Sequence, residues 1–256
     1  MDGIEADAEL LSVMVSLFRS VGLTSEDVVI KISSRKVLEE VLGSLGIVGE
    51  SFAKTCVIVD KMDKLPAEAI TAQLSDLGLN DDSISTIQSV LSIAKLSDLS
   101  ESLDEGSTAS TELESLFSLI DSYGISDWVQ FDASIVRGLA YYTGPVFEAH
   151  DRPGNLRAIC GGGRYDKLIG TLGGKDLPAT GFGFGDMVIM ELLSEKGLLP
   201  DISSRVSDVV FCMDESLRGA AMSVSSKLRE SGRKVDLVLR SEERRVGEGG
   251  RSRWSP

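Results

Sequence analysis

Apolar residues recur at helical spacing near the start of the chain and predict a helix over residues 5–21. Gly22 is expected to end this helix, because glycine readily adopts the left-handed conformation of a helix C-terminus. A β-branched run at 28–32 predicts a strand, and Ser34 is placed to cap a second helix over 37–45. The first 47 residues are therefore expected to form a helix–strand–helix unit.

The pattern stays helical from residue 48 to 127. Turn signals interrupt it at 78–81 and 105–107, but it contains no glycine-rich ligand loop and no cluster of catalytic residue types. Acidic residues dominate its second half, where Lys95 is the one base between Asp76 and Asp127. We expect a helical insertion with a solvated acidic surface.

Strand-forming residues become frequent from Phe131 to residue 149. The sequence DRPGN at 151–155 then predicts a hairpin turn, and 156–160 predicts the return strand. The glycines at 161–165 are expected to end that strand.

A second glycine-rich segment, residues 181–185, is expected to lead into a helix over 186–196. Antiparallel strands that feed a helix indicate an α+β domain. Residues 206–239 carry a strand–helix–strand pattern, which predicts the start of a second, α/β domain.

Residues 240–256 differ from the rest in being rich in arginine, without lysine, leucine, isoleucine or phenylalanine. One interpretation is a basic arm that touches nucleic acid. The other, which we favour, is a non-native or disordered tail from a cloning scar or a frame shift, because the preceding strand stops before its domain could close.

Bulk composition narrows the class of protein. The chain has 256 residues and a net charge of −14, which argues against a general nucleic-acid binder. No apolar run is long enough to span a bilayer, and the three separated cysteines are expected to be free thiols in a reducing compartment. Zinc is not expected, because His150 is the single histidine and has no cysteine at ligand spacing.

Candidate chemistry lies in three segments: VRGLAYYTG at 136–144, CGGGRYD at 160–166 and TGFGFG at 180–185. Arg137 is a permanent cation whose planar fork matches a carboxylate or phosphate, although an ion pair at the surface is the alternative. Tyr141 and Tyr142 are expected to alternate across a strand, so that only one points into a given pocket, and either could be a core aromatic instead.

The glycines at 161–163 are costly in a strand and indicate close approach by a ligand or another segment. Tyr165 offers a phenol to a polar substrate ring. Two glycine patterns are set aside: residues 170–175 are one residue short of a P-loop, and 181–185 lack the context of a dinucleotide-binding fold.

Together these residues resemble the histidyl-tRNA synthetase family of class II aminoacyl-tRNA synthetases. The two histidine-specific signatures of that family look like RGLAYY at 137–142 and GGRYD at 162–166. The resemblance implies a partial class II antiparallel-sheet core at 1–47 and 128–203, a helical insertion domain at 48–127, and a truncated anticodon-binding domain at 206–239.

The resemblance also implies site residues. Arg137 would be the catalytic residue, contacting the histidine carboxylate and the α-phosphate of ATP. Histidine would be bound by Arg137, Tyr141, Tyr142 and Tyr165. Backbone of the pocket would come from Gly161, Gly162, Gly163, Gly183 and Gly185. ATP with Mg²⁺ would be a substrate, and no resident metal or tightly bound cofactor is implied. The partner would be tRNA(His). Full-length members of the family would be homodimers that do not associate with a membrane.

The chain departs from the family pattern at Ala140, where the family usually has Asp, and at Val188, where the third class II motif normally has Arg. Both features are similar to plant-type members. We also expect the first two class-defining motifs to be absent from this chain.

Three hypotheses follow. The leading one is a histidine–tRNA ligase of which this chain is a fragment, inactive alone, from the cytoplasm or from an organelle matrix if a transit peptide has been lost. The second is a non-catalytic, synthetase-like regulatory subunit that binds histidine. The third is a non-functional translated fragment.

Overall fold

The computed structural model describes residues 2–62, 65–103, 106–136, 141–200 and 206–239. The chain divides into two compact units, residues 1–199 and 200–256, and each is described by itself. Among the described residues, no helix is long and apolar enough to cross a membrane.

The first unit is built on a five-stranded sheet with the strand order β2-β1-β3-β4-β5. Strand β1 pairs with β2 in parallel, and the other neighbours are antiparallel. The strands are β1 (Val28–Ser34), β2 (Val129–Phe131), β3 (Pro145–Asp151), β4 (Cys160–Arg164) and β5 (Thr180–Phe184). This mixed, mainly antiparallel sheet with helices confirms the α+β prediction.

Nine α-helices accompany this sheet in the described part of the first unit. They are α1 (Glu5–Ser20), α2 (Arg35–Ser44), α3 (Gly49–Val59), α4 (Ala67–Asp76), α5 (Asp81–Leu91), α6 (Leu96–Ser102), α7 (Thr108–Ser122), α8 (Leu168–Thr171) and α9 (Asp186–Glu195). The predicted cap of α2 is confirmed, since the Ser34 side chain accepts a hydrogen bond from the Lys36 amide at 3.3 Å.

One face of the sheet packs against α1. Alternate residues of β1 and β3 point to this face and are buried, namely Ile30, Ile32, Phe147 and Ala149. The buried stripe of α1 that shares their core cluster includes Leu11, Met14, Val15 and Phe18. Each of these larger side chains contributes about 1.5–3 kcal/mol by leaving water, so the helix and sheet stabilise one another.

Helices α3 to α7 confirm the helical character predicted for residues 48–127. Buried residues of α3, α5 and α7 belong to the same core cluster as α1. The junction of α2 and α7 is polar: Glu40 accepts hydrogen bonds from the Thr108 hydroxyl at 2.8 Å and the Ala109 amide at 2.9 Å. The boundaries of an insertion domain at 48 and 127 stay a prediction.

Two predictions about the strands are wrong. Strand β3 begins at Pro145, and the described residues 132–136 and 141–144 are not in a strand, because Ala133 and Thr143 bond to Ile93 O and Arg164 O at 3.1 and 2.8 Å. The return strand is not 156–160 but β4, so the glycines at 161–163 form the strand that they were expected to end.

Segment 181–185 is also mostly strand, as β5 pairs with β4 along its whole length. The physical reason is long-range pairing: glycine's low strand propensity is outweighed by hydrogen bonds to β3 on one side and by the absence of side chains that would keep β4 and β5 apart.

The second unit consists of β6 (Asp208–Phe211), α10 (Arg218–Glu230) and β7 (Val235–Val238), with β6 and β7 parallel. A short 3-10 turn, Glu215–Leu217, precedes α10. This confirms the predicted strand–helix–strand pattern. The tail at 240–256 lies outside the described residues.

Candidate functional site

The sheet face opposite α1 carries two rows of residues across strands β1, β3, β4 and β5. Directly paired residues of neighbouring strands point to the same face. The first row consists of Lys31, Glu148, Gly161 and Gly183, and the second of Ser33, Val146, Gly163 and Gly181. Both rows end in a pair of glycines, so β4 and β5 offer bare backbone on this face.

A cluster of three tyrosines covers the second row. The ring centroids of Tyr141 and Tyr142 are 4.7 Å apart, and Tyr165 meets Tyr141 edge-on at 6.0 Å. Tyr142 is only 5 % exposed and packs with Ile135 and Val146. The prediction that the two adjacent tyrosines point to opposite faces of a strand is wrong, because their segment is not a strand and both rings join one cluster.

Glycine is required beneath these rings. A Cβ on Gly163 would lie 2.5 Å from Pro145 O and 3.0 Å from the Tyr142 ring. A Cβ on Gly181 would collide with the Tyr165 hydroxyl. These two glycines therefore let the tyrosines approach the backbone of the sheet.

The first row is open by comparison at its Gly183 end. Gly183 is exposed, and a Cβ added there would have no atom within 4 Å among the described residues. Space above Gly183 is thus available to a ligand beside the tyrosine cluster. We call the row of Lys31, Glu148, Gly161 and Gly183 the open row.

Charged side chains flank the open row. The Lys31 ammonium lies 2.9 Å from Asp132 Oδ2, and His150 Nε2 lies 3.1 Å from Glu148 Oε2. Burial opposes ionisation of Asp132, but hydrogen bonds from Ser134 and Lys31 outweigh it and lower the pKa of this carboxyl. These residues were not predicted as site residues. The alternation of Phe147, Glu148, Ala149 and His150 is the signal that could have placed polar groups on one face of β3.

Metal-ligand geometry is absent from the described ranges. They hold no group of three or more His, Cys, Asp or Glu side chains arranged to bind a metal ion. The pattern at 170–175 begins inside the short helix α8 and does not lead from a strand into a helix, so it lacks the context of a P-loop.

A profile of the histidyl-tRNA synthetase family matches residues 1–186. The chain belongs to the histidyl-tRNA synthetase family. It is 50 % identical over 239 residues to the chloroplastic/mitochondrial histidine–tRNA ligase of Arabidopsis thaliana, covering 93 % of this chain and 49 % of that protein. It is 37 % identical over 249 residues to the histidine–tRNA ligase of Thermococcus kodakarensis, covering 93 % and 56 %. The chain thus spans about half the length of these relatives.

A solved structure agrees with this assignment. The histidyl-tRNA synthetase from Nostoc sp. PCC 7120 aligns with a TM-score of 0.69 and 27 % identity, covering 97 % of this chain and 62 % of that one. The class II type of fold expected from the sequence is therefore confirmed.

The second histidyl-tRNA synthetase signature is split between the two faces of the sheet. Tyr165 joins the tyrosine cluster, whereas Arg164 is buried on the α1 side and bonds to Asp7. Asp166 accepts a hydrogen bond from the Ala179 amide at 3.2 Å and so ties β4 to the start of β5. Arg164 and Asp166 thus fix the end of β4, and Tyr165 between them faces the site.

Other signature positions divide as follows. Arg137 and Ala140 lie outside the described residues, so the catalytic role of Arg137 stays a prediction. Gly185 donates from its amide to Ile159 O at 2.8 Å, at the start of α9. Val188, at the position of the motif arginine, is partly buried and packs against the core of the unit.

Proposed function

We propose that this chain carries the histidine-recognising half of the active site of a histidine–tRNA ligase. The observation that supports it best is the tyrosine cluster of two separate signatures, which adjoins an open glycine row on one sheet face. The names of the two curated relatives support the same activity. In this reaction the histidine carboxylate attacks the α-phosphorus of ATP, pyrophosphate leaves, and the 3′-terminal hydroxyl of tRNA then displaces AMP from the adenylate.

The geometry supports a division of labour within the site. The imidazole of histidine would lie against Tyr141 and Tyr165, whose rings and hydroxyls can pack on it and exchange hydrogen bonds with its nitrogens. Its carboxylate and the α-phosphate would lie over Gly183, the glycine end of the open row away from Glu148, where no described atom lies within 4 Å of an added Cβ. Arg137 would stabilise the negative charge that develops between carboxylate and phosphate.

Substrates and partners belong to the same proposal. ATP would arrive with Mg²⁺ on its phosphates, and tRNA(His) would be the acceptor. A second copy of the full-length protein would complete a homodimer. Since the chain spans about half the length of its relatives, we propose that it does not catalyse histidine activation alone.

Histidine-dependent ATP–pyrophosphate exchange tests the proposal. The complete protein should exchange with histidine in preference to the other amino acids, and Arg137→Ala should lower the rate by roughly 100- to 1,000-fold, since one transition-state donor is lost. The control is Arg152→Ala, whose guanidinium bonds to Ser25 O and Asp127 O at 2.6 and 2.8 Å instead of lying near the site.

Two results would contradict the proposal. Exchange that is absent with histidine, or unchanged in Arg137→Ala, would remove the ligase function or the role of the arginine. Robust exchange by the 256-residue chain alone would overturn the statement that it is inactive by itself.

The compartment is proposed on the plant relative, whose name places that protein in chloroplasts and mitochondria. We propose an organelle matrix in preference to the cytosol. Fusion of the complete protein to a fluorescent reporter should give organellar signal, and a diffuse cytosolic signal would contradict this.

A further inference from the structure

A buried ion pair lies directly beneath the tyrosine cluster, on the other side of the sheet. Asp7 and Arg164 are 0 % and 5 % exposed. Arg164 Nε and Nη2 both donate to Asp7 Oδ2, at 2.9 and 2.5 Å, and Nη2 also donates to Gly3 O at 2.7 Å. The pair therefore fastens the first turn of α1 to the last residue of β4.

Arg164 is also joined to both segments that carry the tyrosines. Tyr165 is its neighbour in the chain. The Arg164 carbonyl accepts a hydrogen bond at 2.8 Å from the amide of Thr143, the residue that follows Tyr142. The aliphatic part of its side chain packs under Gly144, where an added Cβ would be 3.1 Å from Arg164 Cδ. A shift of Arg164 would accordingly move Tyr165 and the Tyr141–Tyr142 segment relative to each other.

The Thr143 side chain reinforces this junction. Its Oγ1 accepts a hydrogen bond from the Asp166 amide at 3.1 Å. Arg164 Nη1 in turn donates to Asp166 Oδ1 at 3.2 Å. Two backbone segments more than twenty residues apart are thus joined through the backbone of Arg164 and Asp166, and the guanidinium holds the Asp166 side chain beside this junction.

The directional hydrogen bonds of the pair suit a role in geometry. Burial raises the pKa of Asp7 in spite of the hydrogen bonds from Arg164, whereas the carboxylates of Asp7 and Asp166 raise the pKa of Arg164 and favour its charged form. Buried ion pairs often contribute little net stability, because desolvation offsets the attraction, and in some proteins their directional bonds select one arrangement. A planar guanidinium with two donors on one carboxylate oxygen is such a restraint.

We propose that Asp7 and Arg164 are a positioning pair that sets the spacing of Tyr141, Tyr142 and Tyr165 and thereby the affinity for the amino-acid substrate. The pair touches no substrate and acts through the tyrosines. This inference rests on the proposed function.

The test is the steady-state kinetics of histidine-dependent ATP–pyrophosphate exchange by the complete protein carrying Arg164→Lys. Lysine keeps the positive charge but lacks the planar guanidinium whose Nε and Nη2 both donate to Asp7. We expect the KM for histidine to rise roughly tenfold, since small displacements of binding groups are costly, with kcat and the KM for ATP within about twofold of wild type. A purely structural role would lower the amount of active enzyme and leave both KM values unchanged.

Two further variants keep the test decisive. Asp7→Asn keeps the shape of the side chain and should also raise the KM for histidine. The KM does not depend on the folded fraction of the enzyme. It can therefore be measured even if much of either variant misfolds. Arg152→Lys is the matched control, since it weakens side-chain bonds to Ser25 and Asp127 elsewhere in the unit and should leave the KM unchanged.

The outcomes separate the two proposals. Wild-type exchange with histidine and an unchanged histidine KM in Arg164→Lys and Asp7→Asn would overturn the positioning pair alone. Failure of the wild-type protein to exchange with histidine would overturn the ligase function, and the positioning pair with it.

Discussion

The two glycine pairs of β4 and β5 lie side by side on one sheet face, yet their surroundings differ. Over Gly163 and Gly181 the rings of Tyr142 and Tyr165 press onto the backbone, and a Cβ has no room. Over Gly183, a Cβ would meet no atom within 4 Å in the described part of the chain. Glycine therefore lets tyrosine rings pack against the backbone at one end, and it leaves open space above the sheet at the other.

The two ends are also held together differently. The tyrosine end is apolar and contains Ile135, Tyr142 and Val146. The open row is bordered by the Lys31–Asp132 and His150–Glu148 pairs. Under the proposed function, the aromatic end would pack against the ring of histidine, and the clearance over Gly183 would leave room for its carboxylate and for ATP.

The largest effect is expected at the closed end. Tyr142→Ala should lower the free energy of unfolding by about 3–5 kcal/mol, because it removes a buried aromatic side chain from a packed cluster. Thermal or urea unfolding measures this. Tyr123→Ala is the control, since Tyr123 is 47 % exposed and should change stability by about 0.5 kcal/mol or less. A loss below about 1 kcal/mol in Tyr142→Ala would show that the closed end is not packed as described.

A smaller loss is expected from Gly162→Ala, on the α1 side of the same strand. The new Cβ would lie 2.6 Å from Phe182 Cα and overlap Gly181 O, so β4 and β5 would be forced apart at about 2–3 kcal/mol. Gly43→Ala is the control, because this exposed glycine of α2 has open space around it in the described structure and alanine favours helix. Equal stability of the two variants would refute the close pairing of these strands.

The open row should respond to acid through Asp132. Its pKa is lowered in the folded state, so its contribution is present above the unfolded pKa of about 3.9 and is lost as pH falls through the folded pKa. Asp132→Asn should cost about 1–2 kcal/mol at pH 7, and the difference from wild type should shrink below about pH 4. Unfolding midpoints across this range measure it, with the exposed Asp127→Asn as control. A pH-independent difference would contradict the assignment.

The smallest effect on stability is expected from Gly183→Val. Valine favours strands, and the position is exposed with open space above it in the described structure, so the free energy of unfolding should change by about 0.5 kcal/mol or less. A loss as large as that of Gly162→Ala would show that both ends of the glycine pairs are closed.

Local patterns were enough to predict the elements that depend on neighbours in sequence. Helix α1 and the cap at Ser34 follow from apolar spacing and from a hydroxyl beside a free amide, and both are confirmed. The parallel strand–helix–strand unit at the end of the described chain follows in the same way. The two family signatures also stand out in the sequence itself.

Long-range pairing could not be predicted in the same manner. The glycines of β4 and β5 were expected to lie in loops. They form strands because Gly162 pairs with Phe147 on one side and with Phe182 on the other, which no local pattern shows. Tyr141 and Tyr142 looked like strand residues, although hydrogen bonds to a distant segment hold their neighbour Thr143 outside the sheet. The bond between Asp7 and Arg164 joins residues 157 positions apart, and no local pattern indicates it.

The measurement that tests the central claim most directly is ATP–pyrophosphate exchange by the complete protein carrying Gly183→Val. If histidine and ATP meet over the open row, the two added methyl groups occupy their space, and exchange should fall by roughly 100-fold or more while the unfolding midpoint stays at the wild-type value. Exchange at the wild-type rate in this stable variant would show that the substrates do not lie over Gly183 and would contradict the account.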